Sequence, residues 1–278
     1  MRKKILLLPL LALACACTGN QTGNQTGEDS TTVDSVREVT LDTISLHLHK
    51  NLIEGKEAPC YDIVYKLLAA KGDDELSRLF NEELSRGLFD KAGMQVDSAM
   101  RFQADSVAAS FTSDLKEFYE PDNEYDFAFK YTYEVKADVK EDSYPGIAAY
   151  TTELTTYTGG AHGGYLLTGL NLNKKTGHAI LRDDFFQKDK LSDVKHLVEK
   201  SLMEHNGCTT MSQLVERTGI CSLGEVYVSD NNFLLLQDSV EFIYNPYEVA
   251  SWANGLITTR VAYSELAPCT KQNILPKK

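Results

Sequence analysis

The sequence pattern with the strongest consequence for the fold is an alternation of large apolar residues with smaller or polar ones over 124–136. Its apolar positions are Tyr125, Phe127, Phe129, Tyr131, Tyr133 and Val135. Because successive side chains of a strand point to opposite faces, a period of two predicts one long strand with an aromatic buried face. A turn at 143–146 then predicts residues 147–157 as its hairpin partner and 165–172 as a third antiparallel strand.

Two stretches ahead of this alternation have a helical period instead. Apolar residues recur every three or four positions over 73–90 and 100–120, which places them on one face of a helix. Further helices are predicted at 191–205 and 211–218. Other strand-like segments lie at 43–49, 60–68, 178–181, 226–228, 233–236, 240–244 and 257–263. The fold class predicted is α+β, with antiparallel sheets and packed helices in two closely associated subdomains, 40–123 and 124–270, and a tail at 271–278.

The N-terminus has the pattern of an export signal. Basic residues 2–4 precede an apolar run at 5–14 that is too short to span a bilayer. The run ends in Ala14-Cys15-Ala16-Cys17, and small residues before a cysteine are typical of a lipobox. We expect residues 1–16 to be a lipoprotein signal peptide and Cys17 to carry the lipid. Cys15 is the alternative acceptor, and an ordinary secretory signal is the remaining alternative.

Residues 17–39 are predicted to be a flexible tether. They include the near-repeat TGNQ-TGNQ-TGED at 18–29, which holds no large apolar residue. A lipid followed by a tether would hold the folded part close to a membrane. We therefore expect a bacterial cell-envelope protein that contacts the membrane through its N-terminal lipid, with the outer membrane as the predicted location.

The charge balance bears on the class of partner. The chain has 28 basic and 40 acidic residues, a net charge of −12. Removal of residues 1–16 would take away three basic residues and leave −15. Such a surface repels phosphate backbones, so no nucleic-acid partner is expected, whereas a basic protein is favoured.

Four cysteines besides the lipobox pair could form disulfides after export. They allow three pairings, and the sequence alone does not choose between them. Cys208 with Cys221 closes the shortest loop, which would leave Cys60 with Cys269 to join the start and end of the folded region. Free buried thiols are the alternative. No zinc site is expected, because neither a C-x-x-C motif nor a suitable histidine spacing is present.

A glycine-rich loop at 159–164 is the candidate ligand loop. Gly159, Gly160, Gly163 and Gly164 would let backbone amides approach a ligand, and His162 could act as an acid or base. The same glycines could simply permit a tight turn between two strands. The loop lacks the G-K-[ST] ending of a P-loop. A structural turn, a binding loop and a catalytic loop all stay open at this point.

Other candidates point to structure rather than chemistry. His47 and His49 could face one metal ion, but a third ligand is not apparent, so solvent-exposed histidines and no metal are expected. The adjacent Asp183 and Asp184 would point to opposite faces of a strand and fit a turn better. The aromatic residues of segment 245–252 are expected in the core rather than as a platform for sugars. No nucleophile elbow, metalloprotease motif or dinucleotide fingerprint is present, and no cofactor is predicted.

Three stretches together carry a resemblance to one family. They are Tyr157-Thr158-Gly159-Gly160-Ala161-His162-Gly163, then Asn171-x-x-x-x-Thr176-Gly177 with Asp184-Phe185-Phe186, and Phe242-x-x-Asn245-Pro246-Tyr247-Glu248-x-Ala250 followed by Gly255 and Tyr263-Ser264-Glu265-Leu266. They resemble domain of unknown function 3298. Residues 40–123 resemble, more weakly, its frequent companion, domain of unknown function 4163.

The resemblance implies an α+β fold in the extracytoplasmic part of a bacterial protein. Relatives include lysozyme-sensing anti-sigma factors and the N-terminal region of a peptidoglycan deacetylase. We expect neither sigma-factor signalling nor deacetylation to carry over, since neither the transmembrane segment nor the deacetylase domain is recognisable in this sequence. The expected function is a non-catalytic binding module for a cell-wall-related ligand, such as a peptidoglycan fragment, or for a basic protein such as lysozyme. The alternatives are an envelope glycan hydrolase or deacetylase that uses His162, and a structural subunit of an outer-membrane assembly.

Overall fold

A five-stranded sheet carries the first half of the fold in the computed structural model, which describes residues 37–121 and 126–275. Its strands are β1 (Leu41–Asn51), β2 (Cys60–Ala70), β3 (Lys130–Val139), β4 (Ile147–Tyr157) and β5 (Gly164–Asn173), in the spatial order β1-β2-β3-β4-β5. The β3-β4-β5 meander confirms the antiparallel arrangement expected from the alternation and the turn.

One pair of strands departs from the antiparallel prediction. Strands β2 and β3 run parallel, with Cys60 opposite Lys130 and Lys66 opposite Lys136. Between them lie α1 (Glu75–Phe89) and α2 (Val96–Phe118). A long crossover that contains helices can return the chain to the same end of the sheet, which a short hairpin cannot do. The helices themselves confirm the predicted helical period.

The start of β3 also differs from the prediction. Residues Asp126–Phe129 form a short 3₁₀ helix, and 60% of the Phe127 side chain is exposed rather than buried. Tyr125 lies outside the described residues. Strand β2 itself begins only at Cys60, opposite Lys130, so earlier residues would have no ladder partner on that side. Alternation therefore marks the buried face correctly from Tyr131 onward and fails at Phe127, whereas Phe129 still packs partly against the first core.

Helices α1 and α2 cover one face of the five-stranded sheet and build the first core. Among the side chains fully shielded there are Ile63, Tyr65, Leu67, Phe80, Leu84 and Leu115. Helix α1 begins at the N-cap Asp74, whose carboxylate accepts a hydrogen bond from the Ser77 N–H at 3.3 Å. The amphipathic pattern of both helices thus has its apolar face on the sheet.

Tyr150 supports this sheet where β2 runs beyond its pairing with β3. Its buried hydroxyl accepts from the Leu68 N–H at 3.1 Å and donates to the Leu68 carbonyl at 2.8 Å. Tyr150→Phe should therefore lower the free energy of unfolding by about 1–3 kcal/mol, because it leaves the two peptide groups of Leu68, which is only partly buried, without this partner. Urea unfolding measures this, with Tyr157→Phe as the control, since the Tyr157 hydroxyl bonds only an exposed loop carbonyl. Equal effects of the two variants would contradict the assignment.

A second, three-stranded antiparallel sheet builds the other core. It contains β6 (Phe233–Leu235), β7 (Ser239–Tyr244) and β8 (Ile257–Ala262). The helices on this side are α3 (Arg182–Phe185), α4 (Leu191–His205), α5 (Met211–Thr218) and α6 (Tyr263–Leu266). The segment 226–228 is not a strand, and 178–181 contributes only an isolated bridge at Ala179. The α+β class is confirmed.

The predicted disulfides are absent from the structure, which has Cys60, Cys208, Cys221 and Cys269 as free thiols. Cys208 precedes α5 and Cys221 follows it, and the two thiols are not bonded to each other. Cys60 opens β2 of the five-stranded sheet, whereas Cys269 packs in the core of the three-stranded sheet. Both pairings are thus corrected to the alternative of free thiols.

The described residues from Glu38 onward form one unit by their internal contacts. Strands from both predicted subdomains share the five-stranded sheet, since β2 pairs with β3. The predicted signal peptide, Cys15, Cys17 and nearly all of the tether lie outside the described residues. Among the helices in the described ranges, none is long and apolar enough to cross a membrane.

Candidate functional site: an exposed ring cluster beside the glycine loop

The glycine loop connects the end of β4 to the start of β5, and two of its glycines meet close backbone neighbours. A Cβ on Gly159, whose φ is +80°, would lie 2.8 Å from the Ala128 carbonyl oxygen. A Cβ on Gly163 would lie 2.5 Å from the Thr156 carbonyl oxygen. Glycine is therefore required here by the path of the chain, and the loop is built to hold Ala161 and His162 at the surface.

His162 is exposed, and two contacts fix the orientation of its ring. Its Nδ1 lies 2.8 Å from the Gly163 carbonyl oxygen, which can only accept, so Nδ1 is the donor. The ring stacks on the indole of Trp252, with centroids 4.5 Å apart and planes 18° apart. A backbone carbonyl and an aromatic face thus orient this histidine.

Tyr247 extends the stacked pair. Its ring centroid lies 5.8 Å from that of Trp252, at an interplanar angle of 31°. The Tyr247 residue is 58% exposed and Trp252 is partly buried. The expectation that the aromatic residues of segment 245–252 belong to the core is therefore wrong for Tyr247. We call His162, Trp252 and Tyr247 the ring cluster.

The segment that carries Tyr247 is anchored by Asn245. The Asn245 side chain accepts from the Leu167 N–H at 2.7 Å and donates to the Leu167 carbonyl at 3.0 Å, as a neighbouring strand would. Its own N–H donates to the Glu248 carboxylate at 2.7 Å. Tyr247 has a φ of +72°, a conformation that L-residues rarely adopt. These contacts fix the segment in which Tyr247 keeps its strained backbone conformation at the surface.

Glu248 also helps to hold the segment that carries Tyr247. Besides the Asn245 N–H, it neighbours the Tyr227 hydroxyl. Burial raises the pKa of that phenol, and the charge of Glu248 raises it further. The Tyr227 hydroxyl therefore remains protonated at neutral pH and can donate to the carboxylate. Glu248 therefore helps to position the segment that carries Tyr247.

The remaining candidate acids and histidines have local partners. The guanidinium of Arg182 lies 2.7 Å from the Asp183 carboxylate and lowers the pKa of that group. Asp184 instead accepts from the Leu181 N–H at 3.0 Å, at the start of α3. The two carboxylates thus serve separate local contacts, and both residues lie in the short helix α3 where a turn was predicted.

His47 and His49 lie on the exposed face of β1. His47 contacts the Asp62 carboxylate at 2.5 Å, and Nδ1 of His49 lies 3.5 Å from the same oxygen. Within the described ranges, no group of three or more His, Cys, Asp or Glu residues is placed to hold a metal ion.

Two asparagines with structural roles were missed by the sequence analysis, although both lie in the stretches that carry the family resemblance. Asn171 is fully buried; it accepts from the Leu235 N–H at 2.7 Å and donates to the Phe233 carbonyl at 3.0 Å. Asn245 makes the equivalent pair of bonds to Leu167. Each side chain replaces a strand-to-strand bond between the two sheets. The available signal was an asparagine placed between apolar neighbours, as in Leu170-Asn171-Leu172.

Comparison with known families gives two matches along the chain. Residues 183–264 match the family described as protein of unknown function (DUF3298). The C-terminal part of this chain is a DUF3298 domain. Residues 54–165 match the family described as deacetylase PdaC, so the N-terminal part resembles that deacetylase. The specific resemblance to domain of unknown function 4163 stays a prediction. The ring cluster combines His162 from the second matched region with Trp252 and Tyr247 from the first.

Solved structures support the same fold. A DUF3298 family member from Bacteroides fragilis NCTC 9343 superimposes with a TM-score of 0.73 at 22% identity, covering 84% of this chain and 94% of that one. A DUF3298 family protein from Pseudomonas aeruginosa PAO1 gives a TM-score of 0.58 at 14% identity, covering 87% and 99%. A search of curated proteins gave no match. At these identities the likeness establishes the fold.

Proposed function

We propose that this protein is a non-catalytic binding module of the bacterial cell envelope, and that its ligand is a cell-wall-related glycan bound at the ring cluster. The observation that carries the proposal is the exposed Tyr247 beside the stacked pair of His162 and Trp252. A sugar ring presents a face of C–H groups with hydroxyls at its edge. Planar rings with polar edges match that surface, because they bury the apolar face and leave the hydroxyls solvated or hydrogen-bonded.

The rigidity of the cluster supports binding. His162 is fixed by a backbone carbonyl, and the segment with Tyr247 is fixed through Asn245 and Glu248. Rings that are already ordered lose little conformational entropy when a ligand arrives. The predicted lipid at Cys17 and the tether would hold such a module close to the cell wall.

The affinity for glycans tests this proposal. Trp252→Ala should weaken binding of soluble peptidoglycan fragments at least about tenfold, because a lost stacking contact is worth at least about 1.4 kcal/mol. Isothermal titration calorimetry measures it. Phe118→Ala is the matched control, since Phe118 is also 58% exposed but lies on α2. Fragments that fail to bind the parent chain, or an equal loss in both variants, would contradict the proposal.

A basic protein such as lysozyme is the second candidate ligand, favoured by the net charge of −12. Lysozyme binding that survives high salt and is unchanged by Trp252→Ala, without any binding of glycan fragments, would support this candidate and overturn the first. Binding that disappears at high salt would indicate general charge attraction only.

Incubation with the same peptidoglycan fragments distinguishes a binding protein from an enzyme. We expect mass spectrometry to show them unchanged after incubation with the parent chain. Release of acetate or of shortened glycans, abolished by His162→Ala without a change in melting temperature, would instead establish the alternative of a hydrolase or deacetylase.

A further inference from the structure

Strand β1 lies at one edge of the five-stranded sheet, and no strand among the described residues pairs with its outer side. Its pairing with β2 is unbroken over all eleven residues, from Leu41 opposite Ala70 to Asn51 opposite Cys60. An edge strand of this length without a bulge or proline is an open template for another strand.

The hydrogen bonds at both ends of the ladder show which backbone groups of β1 are free. The Lys71 N–H donates to the Thr40 carbonyl at 2.8 Å, and the Leu52 N–H donates to the Pro59 carbonyl at 2.9 Å. Because bonded pairs alternate in an antiparallel ladder, even-numbered residues of β1 bond to β2 and odd-numbered residues face outward. One outward N–H, that of Thr43, contacts the exposed carboxylate of its neighbour Asp42 at 2.8 Å.

When two copies of β1 lie antiparallel, the side chains on their helix-covered faces match each other in charge and polarity. With two copies antiparallel about Leu46, the opposing pairs are Asp42 with Lys50, Ile44 with Leu48, and Leu46 with itself. The outward-facing residues then pair as Thr43 with His49 and Ser45 with His47, in hydrogen-bonding positions. Moving the axis to Ser45 would place Asp42 opposite Leu48. Moving it to His47 would place Lys50 opposite Ile44. Only the axis at Leu46 matches charge with opposite charge and apolar with apolar.

We propose that β1 pairs with β1 of a second copy of this chain about a two-fold axis at Leu46, joining two five-stranded sheets into one of ten strands. Ile44, Leu46 and Leu48 are only partly buried in the single chain, and the second strand covers them further. The two symmetric pairs of Asp42 with Lys50 close the ends of the interface. A two-fold interface of this kind is self-limiting, since it consumes the edge that forms it.

A cysteine trap tests the axis directly. Leu46→Cys should give a covalent dimer under mild oxidation, seen on a non-reducing gel, because the axis brings the two Cα atoms within disulfide range. Leu48→Cys is the matched control from the same apolar row. Its two copies lie four positions apart along the strands, about 13 Å, which is too far for a disulfide. Cross-linking of both variants at equal rates, or of neither, would overturn the axis.

Exchange of the charges at Asp42 and Lys50 tests whether the partner is a second copy of this chain. Sedimentation should show the parent chain as a dimer at high concentration. Asp42→Lys and Lys50→Asp should each raise the dissociation constant of the dimer about tenfold. The double variant should return this constant to the parental value. The exposed pair of Asp42 with Lys71, at 3.7 Å, contributes little to stability, so each single variant should still fold. Ser45→Pro should give a monomer, since it removes an outward N–H and no bond to β2. A parent chain that is monomeric at its highest soluble concentration, or a double variant no better than the single ones, would overturn the proposal.

Discussion

Asn171→Ala is expected to lower the free energy of unfolding by about 2–5 kcal/mol. Asn171 is fully buried, and its side chain satisfies the Leu235 N–H and the Phe233 carbonyl of β6 at the junction of the two sheets. Alanine leaves both peptide groups without a partner, and each unsatisfied buried group costs about 1–3 kcal/mol. Equilibrium urea unfolding, followed by circular dichroism, measures the change.

Asn231→Ala is the matched control for this prediction. Asn231 is exposed in the turn before β6, and its side chain bonds only the nearby Ser229 hydroxyl. Its replacement should change the unfolding free energy by less than about 0.5 kcal/mol. A loss for Asn171→Ala as small as that of the control would mean that water replaces the amide at the junction.

Asn245→Ala is expected to cost a similar amount, about 2–5 kcal/mol, and in addition to weaken the ring cluster. The lost bonds to Leu167 connect β5 to the end of β7, directly before the strained Tyr247. Without them, we expect the segment to relax and Tyr247 to leave its position beside Trp252. Affinity for peptidoglycan fragments should fall by at least about tenfold at a temperature at which the variant is folded.

Comparison of the two asparagine variants separates stability from binding. Both lose two buried hydrogen bonds, but only Asn245 lies next to the ring cluster in the chain. We expect calorimetry to show near-parental affinity for Asn171→Ala and weakened affinity for Asn245→Ala. Equal affinity of the two variants would show that the ring cluster keeps its geometry without the Asn245 anchor.

The periodicity of the sequence predicted most of the local structure. Helices α1, α2, α4 and α5 and the meander β3-β4-β5 occupy the predicted stretches, because a repeat of 3.6 or 2 fixes which side chains share a face. The same argument failed at Phe127, where the alternation continues but no neighbouring strand is present. Alternation describes a face, whereas a strand also requires a partner for its backbone.

The candidate site could be predicted only in part. The glycine loop and His162 were identifiable as candidates, because glycines and a histidine between two strands form a local pattern. Trp252 and Tyr247 were assigned to the core, because the residue type alone does not show whether an aromatic side chain is buried or exposed. Their approach to His162 spans more than eighty residues of chain, and Asn245 bonds to Leu167 shortly before Tyr247.

The α+β class, the buried faces of the helices and of most strands, and the resemblance to the DUF3298 family could all be read from the order of residues. The parallel pairing of β2 with β3, the free cysteines and the exposed ring cluster became visible only in the folded chain. This difference follows from the distance along the chain over which each interaction acts. Propensity and periodicity act over a few neighbouring residues, whereas strand partners and ring contacts depend on how distant segments meet when both cores are packed.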